Sequence, residues 1–191
     1  MELLIEQNKF YYYTLLSWIG LGIITFVFLI IFKPYTYGRH AKNTKLSINN
    51  KLGWFIMELP TVILMPYFFF KEAPEYNLVI LFFIGLYMLH YINRVFIFPF
   101  RLRTKGKKIP ILIVFSAILF NICNTYLIGY YFSQVTTLYD LNWFFSLPFI
   151  IGFIVFLTGV YINHQSDTIL INLRKDSQSG YKVPYGKFFT Y

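Results

Sequence analysis

Four polar residues share one stripe of an otherwise apolar stretch. Tyr87, His90, Tyr91 and Arg94 fall at i, i+3, i+4 and i+7 among Leu86, Met88, Leu89, Ile92 and Val95. On a helix that spacing places all four on one face. A polar stripe on an apolar helix turns toward a cavity or a polar partner, or forms an interhelical hydrogen-bond ladder. Glu58 is the second anomaly, inside an apolar run that continues to Phe70. An ionised carboxylate in hydrocarbon costs roughly 3 kcal/mol or more. Glu58 must therefore face protein, water or a partner, or hold a proton. Pairing with a lysine or arginine is one reading, and handling a substrate or proton is the other. Asn121, Asn124 and Thr125 form a third polar group, whose ordinary role is to join helices. Asn163, Ser166, Asp167 and Arg174 follow at i, i+3, i+4 and i+11. The histidines and carboxylates lack metal-ligand spacing, no H-E-x-x-H occurs, and no Ser–His–Asp order is supported.

These residues need elements to position them, and the charges mark those elements out. No Lys, Arg, Asp or Glu lies between Lys9 and Lys33, Glu75 and Arg94, Lys108 and Asp140, or Asp140 and Asp167. Between Lys51 and Lys71 only Glu58 interrupts. About 20 mostly apolar residues cross a bilayer as a helix. The spacing therefore predicts an all-α polytopic transmembrane bundle with spans near 11–32, 52–70, 78–98, 109–133 and 143–163. Pro60 and Pro66 are read as breaks in the second span that a packed bundle tolerates. Composition agrees: 57% of the 191 residues are hydrophobic, 23% aromatic and 13% charged, against roughly 25% charged in a soluble domain. One cysteine, Cys123, excludes an internal disulfide framework and a cysteine-based metal cluster. The first segment is too long, and too weakly basic at its start, for a cleaved signal peptide.

Fifteen of the seventeen basic residues end or follow the first, third or fifth span, leaving Lys9 and Lys71 on the other side. The positive-inside rule makes the crowded side cytoplasmic and the N-terminus exterior or lumenal. The membrane is a bacterial inner membrane or endoplasmic reticulum; richness in Ile, Lys, Asn, Phe and Tyr points to an AT-rich genome. A net charge of +9 is then topogenic and attracts anionic headgroups, so no nucleic-acid partner is expected. The surplus also suits a polyanionic cofactor. Neither soluble Gly-rich phosphate loop is present, so side chains between helices would hold it.

Six segments, read together, resemble the steroid 5-alpha-reductase (3-oxo-5-alpha-steroid 4-dehydrogenase) family. They are Lys33-Pro-Tyr-Thr-Tyr-Gly-Arg-His40, Trp54-Phe-Ile-Met-Glu-Leu-Pro60, His90-Tyr-Ile-Asn-Arg94 with Pro99-Phe beyond, Gly159-Val-Tyr-Ile-Asn-His-Gln-Ser-Asp167, Leu173-Arg-Lys175 and Gly180-Tyr-Lys-Val-Pro-Tyr-Gly186. The resemblance covers residues 33–191 in family order. Met57 and Phe98 stand where the family more often has a polar residue and a tyrosine, Lys187 where it has a glycine. The loop over 103–110 is one residue longer.

The resemblance implies a single seven-helix membrane reductase domain that uses NADPH, of which 1–191 holds the first five helices. Glu58 and Tyr91 match the pair that hydrogen-bonds the substrate's 3-keto oxygen. Tyr37, Arg39, Arg94, Arg103, Asn163, Asp167, Arg174, Tyr181 and Lys182 match positions around the cofactor, and Asn124 is similar to another. The implied reaction sends hydride to the β-carbon of an enone in a lipid-soluble steroid-like or other isoprenoid substrate. Donors aimed at the carbonyl oxygen stabilise the enolate-like transition state. Tyr91 can donate, and so can Glu58 when burial keeps it protonated. The family's next cofactor segment and last two helices would follow Tyr191, so a longer protein is expected. An isoprenylcysteine-type methyltransferase and a non-catalytic remnant are the competing readings. Substrate identity and oligomeric state stay open.

Overall fold

The computed structural model describes residues 8–32, 46–73, 75–104, 106–173 and Pro184. The apolar runs fold as helices α1 (Lys9–Phe32), α2 (Asn50–Glu72), α3 (Leu78–Ile92), α5 (Ile111–Gln134) and α6 (Leu147–Asn172). α3 continues through a π turn, Asn93–Ile97, into a short α4, Phe98–Arg101. α1, α2, Leu78–Arg101, α5 and α6 are all long and apolar enough to cross a membrane. The chain is an integral membrane protein with five candidate spans.

Local chemistry sets the helix ends. The Asn49 side chain accepts from the backbone N–H of Lys51 and Leu52, at 2.9 and 3.3 Å, and the Asn77 side chain accepts from Val79 N–H at 2.7 Å. Both supply the acceptor that an opening turn lacks. Ser146 does the same for Phe149 N–H at 3.3 Å, with Pro148 in the first turn. α6 starts at Leu147 because Leu141–Phe145 forms a 3-10 turn before it. It then runs past the expected end at 163 to Asn172, because its polar residues keep to the helix and find partners on α4 and the π turn.

α2 and α5 form the centre of the bundle. Gly129 lets the two backbones approach: a Cβ there would lie 3.0 Å from Phe68 Cβ and 3.2 Å from Met65 O. Met65 and Phe69 are fully buried against Ile80, Ile84 and Val135. α2 is one continuous helix through Pro60 and Pro66, which corrects the reading of two breaks. Proline removes an N–H and crowds the preceding turn. Side-chain donors serve that turn: Asn121 Nδ2 donates to Met57 O and Thr61 Oγ1 to Glu58 O, each at 2.6 Å. Asn121 thus joins α5 to α2, as its group was read to do.

Two features were not expected. Ser47–Asn49 (β1) and Lys108–Pro110 (β2) pair antiparallel, with Ile48 opposite Ile109. A turn closed by Lys107 N–H to Thr104 O leads into β2, with Gly106 at φ 77°, which favours glycine. The ribbon holds the starts of α2 and α5 at the same end as the α4 terminus and the α6 C-terminus. The π turn is the second feature. Pro99 has no N–H to offer Val95 O, and Phe98 N–H reaches back to Asn93 O instead. The turn widens by one residue just where Arg94 sits.

Candidate functional site

The polar residues converge about two turns inside the ribbon end of the bundle. Arg94 is the hub. Its guanidinium carbon lies 4.8 Å from the centroid of the Trp54 ring and 4.3 Å from that of Phe98. The two rings meet edge to face at 5.1 Å. The two rings flank the guanidinium without enclosing it, and its nitrogens turn to carboxylates: Nη2 is 3.8 Å from Glu58 Oε1, an ion pair, and Nη1 donates to Asp167 Oδ2 at 3.4 Å. The Arg94 side chain is only 14% exposed. A planar, weakly hydrated cation suits such a place better than an ammonium. One cation therefore joins α2, the π turn and α6.

Tyr91 lies one turn before Arg94. Its ring packs on Tyr87, with centroids 4.5 Å apart, and stands at right angles to His90 at 5.2 Å. Glu58 and Arg94 are near enough for their charges to act on Tyr91, and His90 is similarly near Arg94 and Asp167. The expected stripe is thus one face, with Glu58 opposite. On the α5 side, Asn121 Nδ2 is 3.4 Å from Glu58 Oε2. Each carboxyl oxygen of Glu58 therefore has its own neighbour.

Toward the helix ends the bundle opens into a cleft of about 450 Å³ lined by Lys51, Arg101, Arg103, Thr168 and Asn172. Arg101 Nη2 donates to Thr168 Oγ1 at 2.8 Å, and Nη1 lies 3.5 Å from His164 Nδ1. Lys51 Nζ donates to Phe100 O at 3.4 Å. No carboxylate lines this cleft among the described residues.

Of the residues singled out in the sequence, the structure brings together Glu58, Tyr91, Arg94 and Asp167. Arg103 is exposed at the cleft. Asn163 is exposed one turn before Asp167, and Asn124 is half-buried on α5. Tyr37, Arg39, Arg174, Tyr181 and Lys182 lie outside the described residues. Sequence reasoning did not assign Asn121, Trp54, Phe98, Arg101 or Thr168 to a site. Asn121 had a signal, a polar residue on a helix face with Thr125. Of the aromatic pair beside Arg94, Trp54 was marked only by its place in a resembling segment and Phe98 only as a departure from the family pattern.

The chain is similar to known proteins over most of its length. A family model described as 3-oxo-5-alpha-steroid 4-dehydrogenase matches residues 107–191. The human 3-oxo-5-alpha-steroid 4-dehydrogenase 1 is 39% identical over 161 residues, which cover 81% of this chain and 60% of that protein. Steroid 5-alpha-reductase DET2 of Arabidopsis thaliana is 36% identical over 194 residues, covering 97% of this chain and 72% of the relative. Its counterpart in Gossypium hirsutum is 31% identical, with 96% and 72% covered. The match with the human relative thus takes in less than two thirds of that protein's length.

Proposed function

The chain belongs to the steroid 5-alpha-reductase family, and from that footing we propose that it works as an NADPH-dependent reductase of a carbon–carbon double bond conjugated to a carbonyl. The substrate is a 3-oxo steroid or another greasy isoprenoid enone that arrives through the lipid. The observation that carries this reading is the Arg94 hub. Arg94 pairs with Glu58, whose charge reaches Tyr91, and with Asp167, the neighbour in sequence of Thr168 in the basic cleft, which supports a shared role for these residues.

The residues fit a phosphate-bearing cofactor by their chemistry. Lys51, Arg101 and Arg103 offer cations, and Thr168 and Asn172 polar side chains, with no acid among the lining residues. Arginine meets phosphate oxygens with a rigid fork of donors. When bound, NADPH supplies the hydride. As the β-carbon of the enone becomes saturated, negative charge grows on the carbonyl oxygen, where Tyr91 O–H and a protonated Glu58 donate hydrogen bonds. Asp167, nearer to Arg94 than Glu58 is, balances the arginine charge and spares Glu58 that duty. The α-carbon of the enolate then takes a proton that comes in net from solvent, which restores the carbonyl and completes the addition of hydride and proton across the double bond.

The test uses the purified protein, NADPH and a 4-en-3-one steroid, with cofactor oxidation and product mass followed together. Glu58→Gln and Tyr91→Phe should each lower turnover roughly 100-fold or more with NADPH affinity kept. Full turnover in both variants would overturn the assignment of the pair.

A further inference from the structure

We infer that Asn121 is a positioning residue, which orients the Glu58 carboxyl and dictates which of its oxygens carries the proton. The inference rests on the role proposed for Glu58 and adds a residue that the sequence reading left as helix glue.

The Asn121 side chain belongs to a residue only 5% exposed, so each of its polar atoms must meet a partner inside the bundle. Its nitrogen lies 2.6 Å from Met57 O. A backbone carbonyl oxygen has lone pairs and no hydrogen, so the amide atom facing it must be the NH₂ rather than the oxygen. That contact removes the usual ambiguity of an amide flip. The amide is planar, and once one N–H is committed to Met57 O the direction of the other follows. This second N–H is the one within 3.4 Å of Glu58 Oε2. The anchor and the target belong to successive residues of α2, so the amide senses the turn and the side chain together.

An oxygen that accepts from an amide N–H serves best as the carbonyl-type oxygen of a carboxylic acid, because its lone pair is engaged. The acid proton then resides on Oε1. Oε1 has Arg94 Nη2 beside it at 3.8 Å, beyond hydrogen-bond reach, so the amide and not the guanidinium fixes which oxygen accepts. Oε1 is the oxygen on the side of the helix that carries Arg94 and Tyr91. Asn121 thereby turns the donor edge of Glu58 toward the place where Tyr91 also donates, and away from α5. Without Asn121 the carboxyl is free to rotate, and the two donors no longer converge on one oxygen.

Infrared difference spectroscopy on the full chain tests this without relying on turnover. The band of Glu58 is the carboxyl band that disappears in Glu58→Gln. In Asn121→Leu its C=O stretch should move to higher frequency, as expected on losing an accepted hydrogen bond. Thr61→Val removes a different bond to α2, the one to Glu58 O, and should leave the band in place. If Asn121→Leu does not fold, Asn121→Asp keeps the size with at most one donor, which Met57 O claims, and the same shift is expected. With NADPH and a 4-en-3-one steroid, both Asn121 variants should lower kcat on the order of tenfold, short of the roughly hundredfold or greater cost of losing a direct donor, with KM little changed. A Glu58 band that stays put in Asn121→Leu or Asn121→Asp overturns the inference. A band that moves while Glu58→Gln keeps full turnover supports the inference's geometry and instead overturns the function proposed for Glu58.

Discussion

At the scale of single residues, one cation decides how two carboxyl groups, Glu58 and Asp167, can sit in an apolar bundle. Removing one member of a buried ionic group leaves the others uncompensated, at a cost of roughly 3–5 kcal/mol. Arg94→Met should therefore lower the thermal unfolding temperature in detergent sharply, and adding Asp167→Asn should recover part of the loss. Arg94→Lys keeps the charge but loses the planar group that contacts Trp54 and Phe98, and should recover less than charge alone predicts. Much of this was legible in advance. The i, i+3, i+4, i+7 spacing of Tyr87, His90, Tyr91 and Arg94 marked the face, and a lone Glu58 in a greasy run demanded a partner. Asn121 was harder to single out, because Asn121 and Asn124 look alike in the chain. Only the rotation of α5 against α2 decides that Asn121 meets Glu58 while Asn124 stays half-buried elsewhere.

At the scale of elements, charge-free runs located four of the five spans closely, since a helix in lipid has to keep its charges at its ends. α6 was underestimated because Asn163 and Asp167 resemble an exit from the membrane, whereas Asp167 and Thr168 are held by Arg94 and Arg101. The ribbon and the π turn were not legible, as three-residue strands carry no periodic signal and a widened turn depends on where one proline falls. Their contribution is measurable. Pro99→Ala restores an N–H for Val95 O, and the π turn should relax to α-helix, rotating α4 by about 100°. Phe98 would then leave Arg94 and Arg101 would leave Thr168, so NADPH affinity should fall several-fold, with a lower unfolding temperature as the buried Phe98–Leu102–Ile171 cluster loosens. Gly53 packs under β2, where an added Cβ would lie 2.4 Å from Ile109 Cγ2. Gly53→Ala should destabilise by about 1–3 kcal/mol, and the same substitution made in an Ile109→Ala background should cost much less, a coupling read from a double-mutant cycle of unfolding curves.

At the scale of the whole molecule, the starts of α2 and α5 and the ends of α4 and α6 gather at one end, together with Lys51, Arg101, Arg103, Lys107 and Lys108. We propose, from the positive-inside rule, that this end is cytoplasmic, where a water-soluble cofactor would be met. In a Cys123→Ser background, Lys107→Cys should react with a membrane-impermeant thiol reagent only when the cytoplasmic face is open. Glu75→Cys should react only from the opposite face. Labelling of both from one side would refute the topology. α1 and α6 turn most of their apolar surface outward, so lipid can reach the flanks of α2, α3 and α5.

The contact between Arg94 and Trp54 also makes the molecule its own optical probe. Of the three tryptophans, Trp18, Trp54 and Trp143, Trp54 is the one beneath the guanidinium. A positive charge so close to an indole shifts its emission energy through the local electric field. With Trp18 and Trp143 changed to phenylalanine, the fluorescence colour of Trp54 would follow any movement of Arg94 as ligands enter, before any bond is made or broken.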